Sequence, residues 1–105
     1  MQEVVRMKMV RGIYEDKRTR YLGMYYRSKD VIEIFVDSIR AHARDYGCDY
    51  HDLKFLVVYH ELGHRKLRDT ELTEAQEEQA ADEFAFWTFY KRFGRKPDAV
   101  NWRYA

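Results

Sequence analysis

The chain has 105 residues, 46% hydrophobic and 35% charged, with a formal net charge of +1. That length and balance describe one globular domain near the lower limit for a self-sufficient core, and they exclude a disordered chain. A net charge so close to zero supplies no general field for gripping nucleic acid, and no run of about 20 apolar residues is there to span a membrane. Residues 3–36 read as strands. In "EVVRMKMVRGI" the apolar Val5, Met7 and Met9 alternate with charged residues, and "YLGMYY" and "VIEIFV" carry the same β-branched and aromatic bias. "YEDKRTR" and "RSKD" between them read as hairpin turns without the strong Asn-Gly signal. "SIRAHARDYG" is a short helix stopped by Gly47. A second helix is expected over 49–67, capped by Asp49 or Asp52, with Leu53, Leu56, Val57, His60 and His64 along one side. After the loop "RDTELT", Thr73 and Gln76 form a capping box that opens a helix over 74–93, and Gly94 closes it. A tail over 95–105 follows. The whole is expected to be a single α+β domain: a small three-stranded, mostly antiparallel sheet, then two long helices.

The charges are unevenly spread. Between Glu3 and Asp30 eight basic residues face four acidic ones, whereas Asp69 to Glu83 holds seven acidic residues and no basic one. The single cysteine, Cys48, rules out an intrachain disulfide and suits a reducing compartment. "MQEVVRMKMVRG" lacks the apolar core of a signal peptide, so a cytoplasmic location is expected. One Asn and three Gln among many Arg, Glu and Tyr lean toward a heat-adapted composition.

Chemistry concentrates in "LVVYHELGHRKL". His60 and His64 are one helical turn apart, about 6 Å along the axis, so both imidazoles project from one face and can share one tetrahedral zinc ion. Glu61, one residue round, reaches a water beside the metal without being a ligand, which is the place for a general base and acid. A catalytic zinc takes three protein ligands and keeps a fourth position open. No histidine follows His64, and Leu67 and Thr70 stand where a longer His-Glu-x-x-His motif of the metzincin kind needs Gly and His. The third ligand is therefore sought in "TEAQEEQAADEFAF", where Glu78 and Asp82 lie one turn apart beside the small Ala81 and Ala85. Glu78 is assigned as the ligand, with the adjacent Glu77 as its competitor. Asp82 is assigned as the acceptor that orients the outer N–H of one histidine.

"HELGH" followed by "EEQAADEFAF" resembles the gluzincin metallopeptidases, whose pattern is His-Glu-x-x-His and then Glu-x-x-Ala-Asp. The second motif, on Glu78, Ala81 and Asp82, is similar to that of the integral-membrane CAAX-type and heat-shock peptidases. Small size without spanning helices resembles the soluble minigluzincins. The resemblance implies one zinc ion held by His60, His64 and Glu78, with Glu61 as catalytic base, and a peptide or protein substrate paired along the sheet's edge strand. It also implies a latent form, in which the tail with Trp102 and Tyr104 folds over the cleft. A non-catalytic protein-binding or regulatory module stapled by zinc is the competing expectation. His42, His51 and Cys48 have no partners at useful spacing and read as structural. "FAFWTFY" holds more aromatics than one small core can take, and a homodimer contact is one use for the surplus.

Overall fold

The computed structural model describes residues 5–99 and Trp102. Five strands come first: β1 (Arg6–Val10), β2 (Tyr14–Glu15), β3 (Arg20–Tyr21), β4 (Gly23–Tyr26) and β5 (Val31–Phe35). Three helices follow: α1 (Val36–Tyr46), α2 (Tyr50–Lys66) and α3 (Glu74–Phe93). The architecture is α+β. Among the described residues no helix is long and apolar enough to cross a membrane.

The main sheet has the order β1-β5-β4, with β2 and β3 forming a separate two-stranded ribbon. β5 runs antiparallel to β4, pairing Gly23 with Ile34 and Tyr26 with Val31, but parallel to β1, pairing Arg6 with Val31 and Val10 with Phe35. The sheet is therefore mixed and not mostly antiparallel. The cause is burial. "VIEIF" is apolar on both faces, and Ile32 and Ile34 are fully buried, so this strand takes the centre and the alternating β1 is left at an edge. In the ribbon, Asp16 does what Asn-Gly would have done. Its Oδ1 accepts from the backbone N–H groups of Arg18 and Thr19 at 2.9 and 2.8 Å, an Asx-type turn.

α1 starts directly from β5, at Val36, and ends at Gly47 in the left-handed conformation (φ 66°) that glycine adopts freely. Asp49 caps α2 by accepting from the Asp52 N–H at 2.9 Å. Thr73 and Gln76 form the reciprocal capping box of α3. α2 packs on the sheet with one side and on α3 with the other. Leu53, Leu56, Ala85 and Phe89 share the core with Ile32, Ile34 and Ile39.

Two polar clamps set the ends of α2. At its C-terminal end Arg65, itself buried, grips the Asp30 carboxylate at 2.9 and 3.1 Å, and Tyr25 Oη donates to the same group at 2.9 Å. That fixes the turn between β4 and β5, where Asp30 has a positive φ of 51°. At the N-terminal end Asp52 accepts from both terminal nitrogens of Arg95 at 2.8 and 3.0 Å and from the Asp98 N–H at 2.9 Å. The segment after α3 is thereby drawn back along α2.

Candidate metal centre

α2 carries His60 and His64 on the side that meets α3, and the two helices cross closely there. A Cβ built on Gly63 would lie 3.0 Å from Ala81 Cα, so the glycine between the histidines is what admits the α3 backbone. The close approach brings Glu78 to both rings. His60 Nε2 and His64 Nε2 are 3.0 Å apart. Glu78 Oε2 is 3.3 Å from the first and Oε1 2.8 Å from the second. His60, His64 and Glu78 are the one such cluster among the described residues whose ligand atoms all lie within 4.8 Å of one another. Donors 2.0–2.1 Å from a tetrahedral zinc ion stand roughly 3.3–3.4 Å apart. The observed edges, two of them ending on different Glu78 oxygens, equal that or fall up to about half an ångström inside it.

The outer nitrogens make the convergence more telling. His60 Nδ1 faces Asp82 Oδ1 at 2.8 Å, and His64 Nδ1 faces Glu77 Oε1 at 3.3 Å. A carboxylate at each Nδ1 holds the ring proton there and turns the Nε2 lone pair inward. Two such lone pairs 3.0 Å apart repel unless a proton or a cation lies between them. His60 Nδ1 and Asp82 Oδ1 are buried and make no in-line hydrogen bond, so the pair is held by charge and proximity. Two imidazoles and one carboxylate are the donor set zinc accepts. The residues fit the metal.

The electrostatics follow from this crowding. Burial pulls the His60 pKa down, but the Asp82 and Glu78 carboxylates outweigh it and raise it from 6.5 to about 10. His64 is likewise depressed by burial and raised overall by Glu78. The histidines in turn hold Glu78 well below the usual carboxylate range. Glu61 moves the other way. It is buried, and desolvation raises its pKa against the pull of both histidines.

Glu61 points between α2 and β4. A Cβ at Gly23 would lie 3.2 Å from its Cγ, and Glu61 and Tyr25 both line the same cleft. β4 is an edge strand of the main sheet. Since Phe35 N–H donates to Leu22 C=O at 2.9 Å, the alternation of an antiparallel pair turns the Gly23 and Tyr25 backbone groups outward. Together with His60, His64 and Glu78, this strand encloses a cleft of about 350 Å³ that Tyr21 and Arg27 also line.

The structure thus brings His60, Glu61, His64, Glu78 and Asp82 together. Glu77 proves to be the counterpart of Asp82 on the second histidine and not a member of the inner triangle. Trp102 is buried in the core, its ring edge-on to His60 with centroids 6.2 Å apart. It buttresses the histidine and is not among the residues lining the cleft. Tyr104 lies outside the described residues. His42 is buried against Tyr46, His51 stands edge-on to Tyr50, and Cys48 is half-buried against the core. All three are apart from the cluster. Comparison with family models, with curated proteins and with solved structures finds no match to this chain.

Proposed function

We propose that the chain is a zinc metallopeptidase of the gluzincin type, resembling the minigluzincins, that hydrolyses peptide bonds in peptide or protein substrates in the cytoplasm. One observation carries the reading. The two inward Nε2 atoms and the Glu78 carboxylate form a single triangle at the wall of a cleft whose next residue is a buried, basic-shifted Glu61. A structural metal site has no use for an open cleft or for that glutamate.

His60, His64 and Glu78 would hold one zinc ion, which when bound supplies Lewis acidity toward a water and the scissile carbonyl. The remaining work belongs to the chain. Glu61, its pKa raised by desolvation, accepts a proton from the attacking water and delivers it to the leaving amine nitrogen. The outward edge of β4 offers backbone groups to an extended peptide, which places the scissile bond beside Glu61. Asp82 and Glu77 fix the tautomers of the two ligands. A latent form is part of the proposal, but its blocking group is not Trp102, which sits in the core behind His60 and outside the cleft lining.

Metal content with chelator dialysis, followed by cleavage of a peptide library, tests the assignment. About one zinc ion per chain is expected, lost in His60→Ala and Glu78→Ala and retained in an inactive Glu61→Ala. Asp82→Ala should bind zinc about 10–100-fold more weakly. A folded natural chain that takes up no zinc would end the peptidase reading. A Glu61→Ala variant that loses its metal would show the roles to be wrongly divided.

A further inference from the structure

α3 is covered along one side. Ala81, Ala85 and Phe89 are fully buried, whereas Trp87 is 61% exposed and Tyr90 45%. Trp87 stands edge-to-face with Phe86 and Tyr90, at centroid separations of 5.2 and 5.9 Å, so the exposed aromatics form one patch. Shallow grooves flank it, one bordered by Gln79, Glu83 and Phe86, the other by Ala80, Phe84 and Lys91. A contiguous patch of this kind on a small domain marks a contact surface.

The charges around the patch identify what fits it. Glu83 is one helical turn before Trp87 and Lys91 one turn after, both exposed on the same side. Two turns out, Ala80 and Gly94 carry little or no side chain. The stripe is therefore opposite in charge and alike in size about Trp87. A second copy of α3 laid antiparallel, with a two-fold axis at Trp87, sets each Glu83 against the Lys91 of the other copy. It also sets each Ala80 against a Gly94, so the backbones close around the stacked indoles. That self-complementarity is what an isologous interface requires. The same stripe suits an anionic membrane or nucleic acid poorly, because the exposed Glu83 stands beside the aromatics. We infer that the outer face of α3 is the seam of a two-fold homodimer with Trp87 at its axis. A helix of 20 residues is about 30 Å long, and one such pair buries roughly 1,000 Å², near the lower end for specific association. A contact of that size belongs with weak, concentration-dependent dimers. One flanking groove reaches Glu78 and Asp82 on its far side, but Glu83, Trp87 and Lys91, on which the inference rests, take no part in the metal reading.

Sedimentation velocity on the full chain, from about 1 to 500 μM in keeping with weak association, tests it, with tryptophan emission read on the same samples. A concentration-dependent passage from monomer to dimer is expected, with a blue shift as Trp87 is buried. Trp87→Ala should weaken the dimer about 30-fold or more, as loss of a central aromatic anchor does. Glu83→Lys and Lys91→Glu should each weaken it roughly 3–10-fold, and the double exchange should restore it, because the reversed charges still complement each other. Far-UV circular dichroism checks that each variant folds, as substitutions at exposed positions should allow. A monomer at every concentration, with or without binding to anionic vesicles, overturns the inference. So does a dimer indifferent to Trp87→Ala, or a double exchange no stronger than the single reversals.

Discussion

Gly63→Ala is the most informative single perturbation, because it adds one methyl group to the helix crossing and touches no ligand. The new Cβ would lie 3.0 Å from Ala81 Cα, 3.1 Å from Ala81 Cβ and 3.3 Å from Phe84 Cδ1. Carbon atoms in ordinary contact stand about 3.5–4.0 Å apart. Phe84 can rotate away, but the Ala81 backbone cannot, so α2 and α3 must separate by roughly 0.5–0.8 Å. Overpacking of that kind costs about 1–3 kcal/mol, and the better helix propensity of alanine returns about 1 kcal/mol. The fold therefore survives, with a Tm lowered by about 10 °C at most. The metal site has no such offset. Gly63 lies between His60 and His64, and Ala81 between Glu78 and Asp82, so the displacement appears directly in the 2.8 and 3.3 Å edges joining the rings to Glu78. Ligand distances tolerate shifts of only about 0.2 Å. Zinc affinity should fall on the order of 10–100-fold, comparable to losing an orienting partner. Competition against a chromogenic chelator reads the affinity, and thermal unfolding of the metal-free protein reads the fold. Affinity within twofold of the natural chain would refute the argument that the crossing distance sets the site.

Three further outcomes follow from the same geometry. In the metal-free protein His60 keeps its proton to about pH 10, so zinc uptake at pH 7.5 should release at least one proton and bind more tightly as pH rises; calorimetry in buffers of different ionisation enthalpy counts those protons, and a count of zero contradicts the assignment. The same raised pKa means that the metal-free fold is favoured below the ordinary histidine value of 6.5 and loses that contribution as pH climbs through 10; the urea midpoint should be lower at pH 9.5 than at pH 7. Asp52→Ala, which removes a bidentate Arg95 contact and the Asp98 N–H bond, should cost about 1–3 kcal/mol at neutral pH and progressively less in acid; its folded pKa lies below the usual 3.8, so its contribution is present above that value and lost as pH falls through the folded one.

The parts legible in the sequence are those fixed by neighbours within a turn or two. Asp49, Gly47, the Thr73–Gln76 box and Gly94 mark helix ends through local hydrogen bonds or backbone conformation, and all four do so in the folded chain. The four-residue spacing of His60 and His64 is likewise a property of any helix. Strand order is not local. Alternation in "RMKMV" shows a half-exposed strand without naming its neighbour, and the parallel pairing of β1 with β5 closes a loop of some two dozen residues. The one available sign was that "VIEIF" does not alternate, which is how a central strand differs from an edge.

The site divides in the same way, and its two glycines show why. Gly23 and Gly63 sit where the elements on either side of α2 press against it: β4 on the Val57 and Glu61 side chains, and α3 at the Ala81 backbone. In "HELGH" the glycine reads as a filler position, and in "YLGMYY" as a weak strand residue. Each has a role only because another element presses on it, and nothing within a few residues announces that. Glu77 was ambiguous for a related reason. On a helix, Glu77 and Glu78 differ by about 100° of rotation, so the approach of α3 decides which one enters the triangle and which one orients His64. The sequence supplies the donors, but the closeness of α2 to its two neighbours sorts them into ligand, base and orienting group. Substitutions that alter those approaches, and leave every polar side chain in place, should therefore disturb the chemistry more than they disturb the fold.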